Sequence, residues 1–221
     1  MSETRTPFPG TYRDTYGTEP IEFLSDGRSL LVVVRGVALA GTDFDMLEPV
    51  NGAEAAARAN LRLHHNCLCG CELTFHIPLK LSGPEGVSGA VLESRLVLGV
   101  PGPRGGLDQE DLHLRLSFGG KTYQSRGNTG WFEDELLDLA RQLPEGVHLR
   151  ACITCAFSDY SPYGHGLFGC LACFRDNKAE YLSVRDKTGI FRVWNTLTEY
   201  VQETYLCPEF QLRKPGTGYR G

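Results

Sequence analysis

Apolar side chains recur at every second position, or in short β-branched runs, over residues 21–24, 30–37, 60–64, 71–79, 87–98 and 112–118. A strand turns successive side chains to opposite faces, so this pattern predicts strands with one buried face. Glycine and proline punctuate them: SDG at 25–27, SGPEG at 82–86, PGPRGG at 101–106 and FGGK at 118–121 supply tight connections. Strands joined this way predict an antiparallel β-sandwich or curled sheet. AEAAARA at 53–59 reads as a short helix or a turn between strands. After residue 126 the period changes. Phe132, Leu136, Leu139, Ala140 and Leu143 share a helical face, Asn128 or Thr129 can cap it, and Glu133, Asp134 and Glu135 suit its positive end. Pro144 stops that helix, and a second stripe of Ile190, Val193, Trp194, Leu197 and Val201 predicts another. The expectation is an α+β fold: an antiparallel β-rich part over 1–126 and a helical, cysteine-rich part with two helices over 127–221, packed as one compact body.

Composition narrows the function more than the fold. A chain of 221 residues that is 41% hydrophobic and 22% charged can bury a sizeable core. The net charge of -5, with no run of Lys or Arg longer than a pair, leaves no basic footprint for nucleic acid or an anionic membrane. The start carries charges and prolines, and the longest apolar run, 30–34, is far shorter than a bilayer span, so a soluble, cytoplasmic protein is expected. In a reducing compartment eight cysteines point to metal ahead of disulfides. The catalytic signatures G-x-S-x-G, H-E-x-x-H and the P-loop do not occur. GPRGG lacks the strand-to-helix context of a phosphate loop and reads as a hairpin connection.

The stretch ACITCAFSDYSPYGHGLFGCLACF, 151–174, holds two C-x-x-C pairs, Cys152 with Cys155 and Cys170 with Cys173, separated by fourteen residues. Two cysteines so spaced can bind one ion from a single turn, and four complete a tetrahedral zinc site. Ala156 and Phe174 stand where a glycine commonly follows such a pair. Cys207, in TYLCPEF, is a fifth candidate, with a buried free thiol as the plain alternative. From residue 136 onward, through SDYSPYG, ACFRDNKAEYL and VQETYLCPEF, the chain resembles a family of uncharacterised bacterial proteins familiar from actinobacteria. The resemblance implies the ligand set Cys152, Cys155, Cys173 and Cys207 beside the two-pair set, with variation at the position matching Cys170. It implies no activity.

Between the pairs, Ser158, Asp159, Tyr160, Ser161, Tyr163 and His165 crowd a glycine-containing loop. These residues can cap turns and pack locally. They can also form a recognition surface, Tyr160, Tyr163 and His165, for a protein or small-molecule ligand, held rigid by the metal. A third reading makes His165 a general base or metal ligand oriented by Asp159. Four thiolates leave zinc no open position, which favours the non-catalytic readings. A second cluster, LHHNCLCGCEL, places His65, Cys67, Cys69 and Cys71 at period two. On one strand they would span roughly 20 Å, so a second zinc or a copper(I) site needs a turn through Asn66 to Gly70; small thiols facing a core are the simpler reading. His76, His113 and His148 sit in strand patterns without a ligand-spaced partner. The sequence thus supports a zinc-stabilised binding or accessory protein, with a metal-dependent enzyme or a thiol-based sensor as alternatives.

Overall fold

In the computed structural model, residues 5–164 and 166–219 are described. The amino-terminal strands are β1 (Thr6–Asp14), β2 (Gly17–Ser25), β3 (Leu30–Val34), β4 (Val37–Gly41) and β5 (Glu48–Pro49). After helix α1 (Ala53–Arg58) come the small hairpin β6 (Arg62–His64) and β7 (Cys67–Cys69), then the long strands β8 (Cys71–Gly83) and β9 (Gly86–Leu98), followed by β10 (Glu110–Phe118) and β11 (Lys121–Gln124). Helix α2 (Phe132–Gln142) leads to β12 (His148–Arg150), β13 (Ser158–Asp159) and β14 (Leu171–Cys173), and then to α3 (Lys178–Ser183), α4 (Lys187–Val193) and β15 (Glu199–Val201). The fold is α+β.

Ten of the described strands form one antiparallel sheet in the order β11-β10-β9-β8-β1-β2-β3-β4-β5, with β12 joined to β8. Its centre is the β8–β9 hairpin, paired from Cys71↔Leu98 to Gly83↔Gly86 across the Pro84–Glu85 turn. Strict alternation along β8 buries Leu73, Phe75, Ile77, Leu79 and Leu81 and turns the residues between them outward. Burial of each such side chain contributes about 1.5–3 kcal/mol. Facing them, Phe23, Phe44, Phe132 and Phe168 pack around Phe75, with the Phe44 and Phe75 rings stacked at 4.2 Å. The main core draws on residues from both sides of position 126, including Leu136, Ile153, Phe168 and Val201. A smaller cluster of Phe174, Tyr181, Val184, Ile190 and Val193 sits under α3 and α4.

β1 falls outside the strands expected from the sequence because Pro7, Pro9 and Gly10 mask its alternation. Gly10 is required there: a Cβ would lie 1.8 Å from the Thr74 carbonyl oxygen. Neither Asn128 nor Thr129 is the N-cap of α2, which is Trp131. Instead Glu135 reaches back from the helix and accepts from the backbone N–H groups of Gly127, Asn128 and Thr129 and from the Thr129 hydroxyl at 2.7 Å. The helix expected over 190–201 is also corrected. α4 ends at Val193, a 3-10 turn covers Trp194–Thr196, and Val201 lies in β15. Thr196 donates to the Val193 carbonyl and closes the turn, while β14 offers an edge that pairs Leu171 with Val201. α3 had no counterpart in the periodicity.

Candidate metal centre and its surroundings

Four cysteines from three separated segments lie near enough to perturb one another's thiols. Cys152 and Cys155 flank a 3-10 turn, Cys173 ends β14, and Cys207 follows the extended segment after β15. Backbone hydrogen bonds set their register: Cys152 N–H to Tyr205 O at 2.6 Å, Ile153 N–H to Glu203 O at 3.0 Å, Ala156 N–H to Gln211 O and Phe174 N–H to Phe157 O, each at 2.7 Å. All four thiols are buried, and all eight cysteines of the chain are free.

The electrostatics of the four are mutual. Cys152 and Cys207 share a hydrogen bond that pulls the Cys207 thiol down and pushes Cys152 up. Charge on Cys207 raises Cys155 and Cys173, both already pushed up by burial. Backbone N–H groups act the other way, Gln211 and Phe157 lowering Cys155, Arg175 lowering Cys173 and Glu209 lowering Cys207. Donors aimed at sulfur favour the charged form. The Arg175 side chain lies 3.9 Å from the Cys173 sulfur and is itself paired with Glu199. Among the described residues no three His, Cys, Asp or Glu side chains stand grouped so that they could hold a metal ion. The soft, buried donor set with N–H groups on its sulfurs suits zinc chemically, but the sulfurs must close in to coordinate it.

Cys170 lies elsewhere. It accepts from the Gly166 N–H at 3.2 Å and faces Asp43, Glu203 and Asp45, whose charges add to burial in raising its thiol. Those carboxyls form an acidic knot that the sequence reading did not reveal. Asp43 accepts from its neighbour Phe44 N–H at 2.7 Å and from Phe168 N–H at 2.9 Å, while burial and the neighbouring Asp45 push its carboxyl well above the usual range. Glu203 accepts from the Tyr160 hydroxyl at 3.0 Å and the Gly169 N–H at 2.7 Å, and burial pushes it up to about 7. Gly169, at φ +74°, lets the loop touch Thr42: a Cβ there would sit 2.3 Å from the Thr42 carbonyl oxygen. The only sequence signal was D-F-D at 43–45, between apolar segments and far along the chain from its partner Glu203.

The loop's polar groups divide between inside and outside. Asp159 is buried and accepts from the backbone N–H groups of Tyr160 and Tyr219 and from the Tyr181 hydroxyl at 3.0 Å. Ser158 donates to the Cys152 carbonyl at 2.5 Å. Tyr160 is buried on Glu203, whereas Tyr163 is 80% exposed with its ring 4.9 Å from Phe191. His165 lies outside the described residues. The other cluster is a hairpin: His65 and Asn66, both at positive φ, form the turn between β6 and β7 and set His64 opposite Cys67. His64, His65, Cys67 and Cys69 line a cavity of about 220 Å³ with Asp45 and Glu110, while Cys71 is buried at the start of β8, beside Asp14.

Sheet and helices together define an α+β protein in which Cys152, Cys155, Cys173 and Cys207 are buried. The chain belongs to DUF6304, a family of unknown function, which matches residues 6–158. The match spans the sheet and the first cysteine pair and ends at Ser158, ahead of Cys173 and Cys207. No curated protein and no solved structure matches the chain. No helix among the described residues is long and apolar enough to cross a membrane.

Proposed function

We propose a zinc-stabilised, non-catalytic binding or accessory protein, in which Cys152, Cys155, Cys173 and Cys207 hold one zinc ion that braces the carboxyl-terminal part. The observation that carries this reading is that backbone N–H groups favour the charged form of three of these sulfurs: Gln211 and Phe157 at Cys155, Arg175 at Cys173 and Glu209 at Cys207. Four thiolates crowded together repel one another, and such donors offset that repulsion only when the sulfurs are charged. Neutral thiols used as core filler need no such arrangement. A zinc ion saturated by four thiolates keeps no position for water and acts structurally.

Recognition falls to the 158–166 loop beside this site. Tyr163 stands in solvent against Phe191, and Lys187 lies over the Phe191 ring at 5.7 Å, an aromatic and cationic patch suited to gripping a protein or small ligand. The enzyme alternative gives His165 an orienting partner in Asp159, but that carboxylate already serves Tyr160, Tyr181 and Tyr219.

Cys155→Ser is expected to lose zinc and to lower Tm by roughly 10 °C or more. Cys170→Ser and His165→Ala are expected to retain zinc and to melt within a few degrees of the parent. Zinc retained by Cys155→Ser, or lost from His165→Ala, contradicts the assignment.

A further inference from the structure

A different site opens where the sheet divides. β1 pairs with β8 only from Gly10↔Phe75 to Arg13↔Glu72, and His76 makes a last contact with the Pro9 carbonyl at 3.1 Å. Beyond it, residues 6–9 continue with β2 alone, and β8 regains a partner on that side only at Lys80–Ser82, where β12 joins it. Pro7, Pro9 and Pro78 sit at this fork and lack the N–H groups that would extend the ladder. The fork is a cleft of about 790 Å³, within the range of small-molecule sites. Its far wall is the 202–206 segment, fixed by the Gln202 N–H bond to the Gly27 carbonyl at 2.8 Å.

Two features of the lining point to an anion. Lys80 and Arg150 are direct cross-strand partners, so two cations share one face of the sheet, where like charges directly opposite are destabilising. The Arg150 Nε and the Thr204 hydroxyl are buried without a hydrogen-bond partner among the described residues, and Thr204 is only 7% exposed. A buried donor left unpaired costs free energy that a ligand oxygen would recover. Gly89 pairs with Lys80 on the other side, and open space lies where its Cβ would be. Pro78 and Val87 are apolar and share the Lys80 face, Phe8, Ile77 and Leu79 border the cleft from the core side, and Asp26 and Arg28 stand at its edge.

We infer that the fork binds a small organic anion, with a carboxylate or phosphate head between Lys80, Arg150 and Thr204 and an apolar body along Pro78 and Val87, which share the Lys80 face of the β8–β9 hairpin. This site is separate from the Tyr163 surface and does not depend on the zinc assignment. Isothermal titration of the full chain with sodium octanoate, octyl phosphate and octan-1-ol tests it. At least one of the two anions is expected to bind one per chain, at least tenfold more tightly than the alcohol, and the tighter anion identifies the head. Lys80→Gln and Arg150→Gln are each expected to weaken that anion by about tenfold, the scale of one charge-assisted hydrogen bond. Gly89→Leu is expected to abolish binding at an unchanged Tm. Should Arg150→Gln not fold, Lys80→Gln and Gly89→Leu carry the test. Equal binding of octanol and both anions, no binding of any of the three, or anion binding indifferent to both Lys80→Gln and Gly89→Leu overturns the inference.

Discussion

Glu203 is a carboxyl in the interior whose oxygens accept from the Tyr160 hydroxyl and the Gly169 N–H, yet burial outweighs both and pushes it from 4.5 up to about 7. The folded state therefore holds a proton that the unfolded chain releases at lower pH. Its contribution is fully present below about 4.5 and is lost as pH rises to about 7. Tm is expected to fall across that window, and Glu203→Gln, which cannot ionise, is expected to flatten the fall; an unchanged slope in the variant removes Glu203 as its source. At this scale the sequence was legible where chemistry is local. The pairing of Cys152 with Cys155 follows from spacing, whereas the charge of Cys207 reaching Cys152, Cys155 and Cys173, and that of Asp43 and Glu203 reaching Cys170, depend on segments far apart in the chain. Asp43 and Glu203 were not legible, because a buried carboxyl is recognisable only from the distant segments that desolvate it.

Strands with one wet face were the legible elements. The alternation that buries Leu73 through Leu81 in β8 is visible in the letters, and so is the Pro84–Glu85 turn. β1 was hidden by its prolines, and β15 by a helical stripe whose last member, Val201, answers to the β14 edge instead of to its own neighbours. The same lesson applies at α2, where the expected capping residues are recipients. Glu135, 1% exposed, gathers the three N–H groups of 127–129 and the Thr129 hydroxyl. Glu135→Ala is expected to cost about 3 kcal/mol, since it strands several donors of a charged acceptor at once. Urea unfolding measures this directly, and a loss below about 1 kcal/mol would mean the 127–129 turn is held by other contacts.

In the whole molecule, the sheet and the cysteine segments share one core: Cys152, Cys173 and Cys207 belong to the same buried cluster as Phe75 and Leu136. β12 explains the connection, since it pairs with β8 and then runs directly into the Cys152–Thr154 turn. The arrangement was not legible in the sequence, because three residues of β12 carry too little periodicity to announce a strand and nothing local says which edge it joins. It places the thiols against the sheet. The central claim is that zinc occupies this cluster. It is tested by metal analysis of protein purified without a metal-binding tag, with reactive thiols counted under native and denaturing conditions. One zinc per chain with about four thiols protected until the protein is unfolded is the expected result. No zinc, with the cluster's thiols as reactive in the native protein as in the unfolded chain, would contradict it.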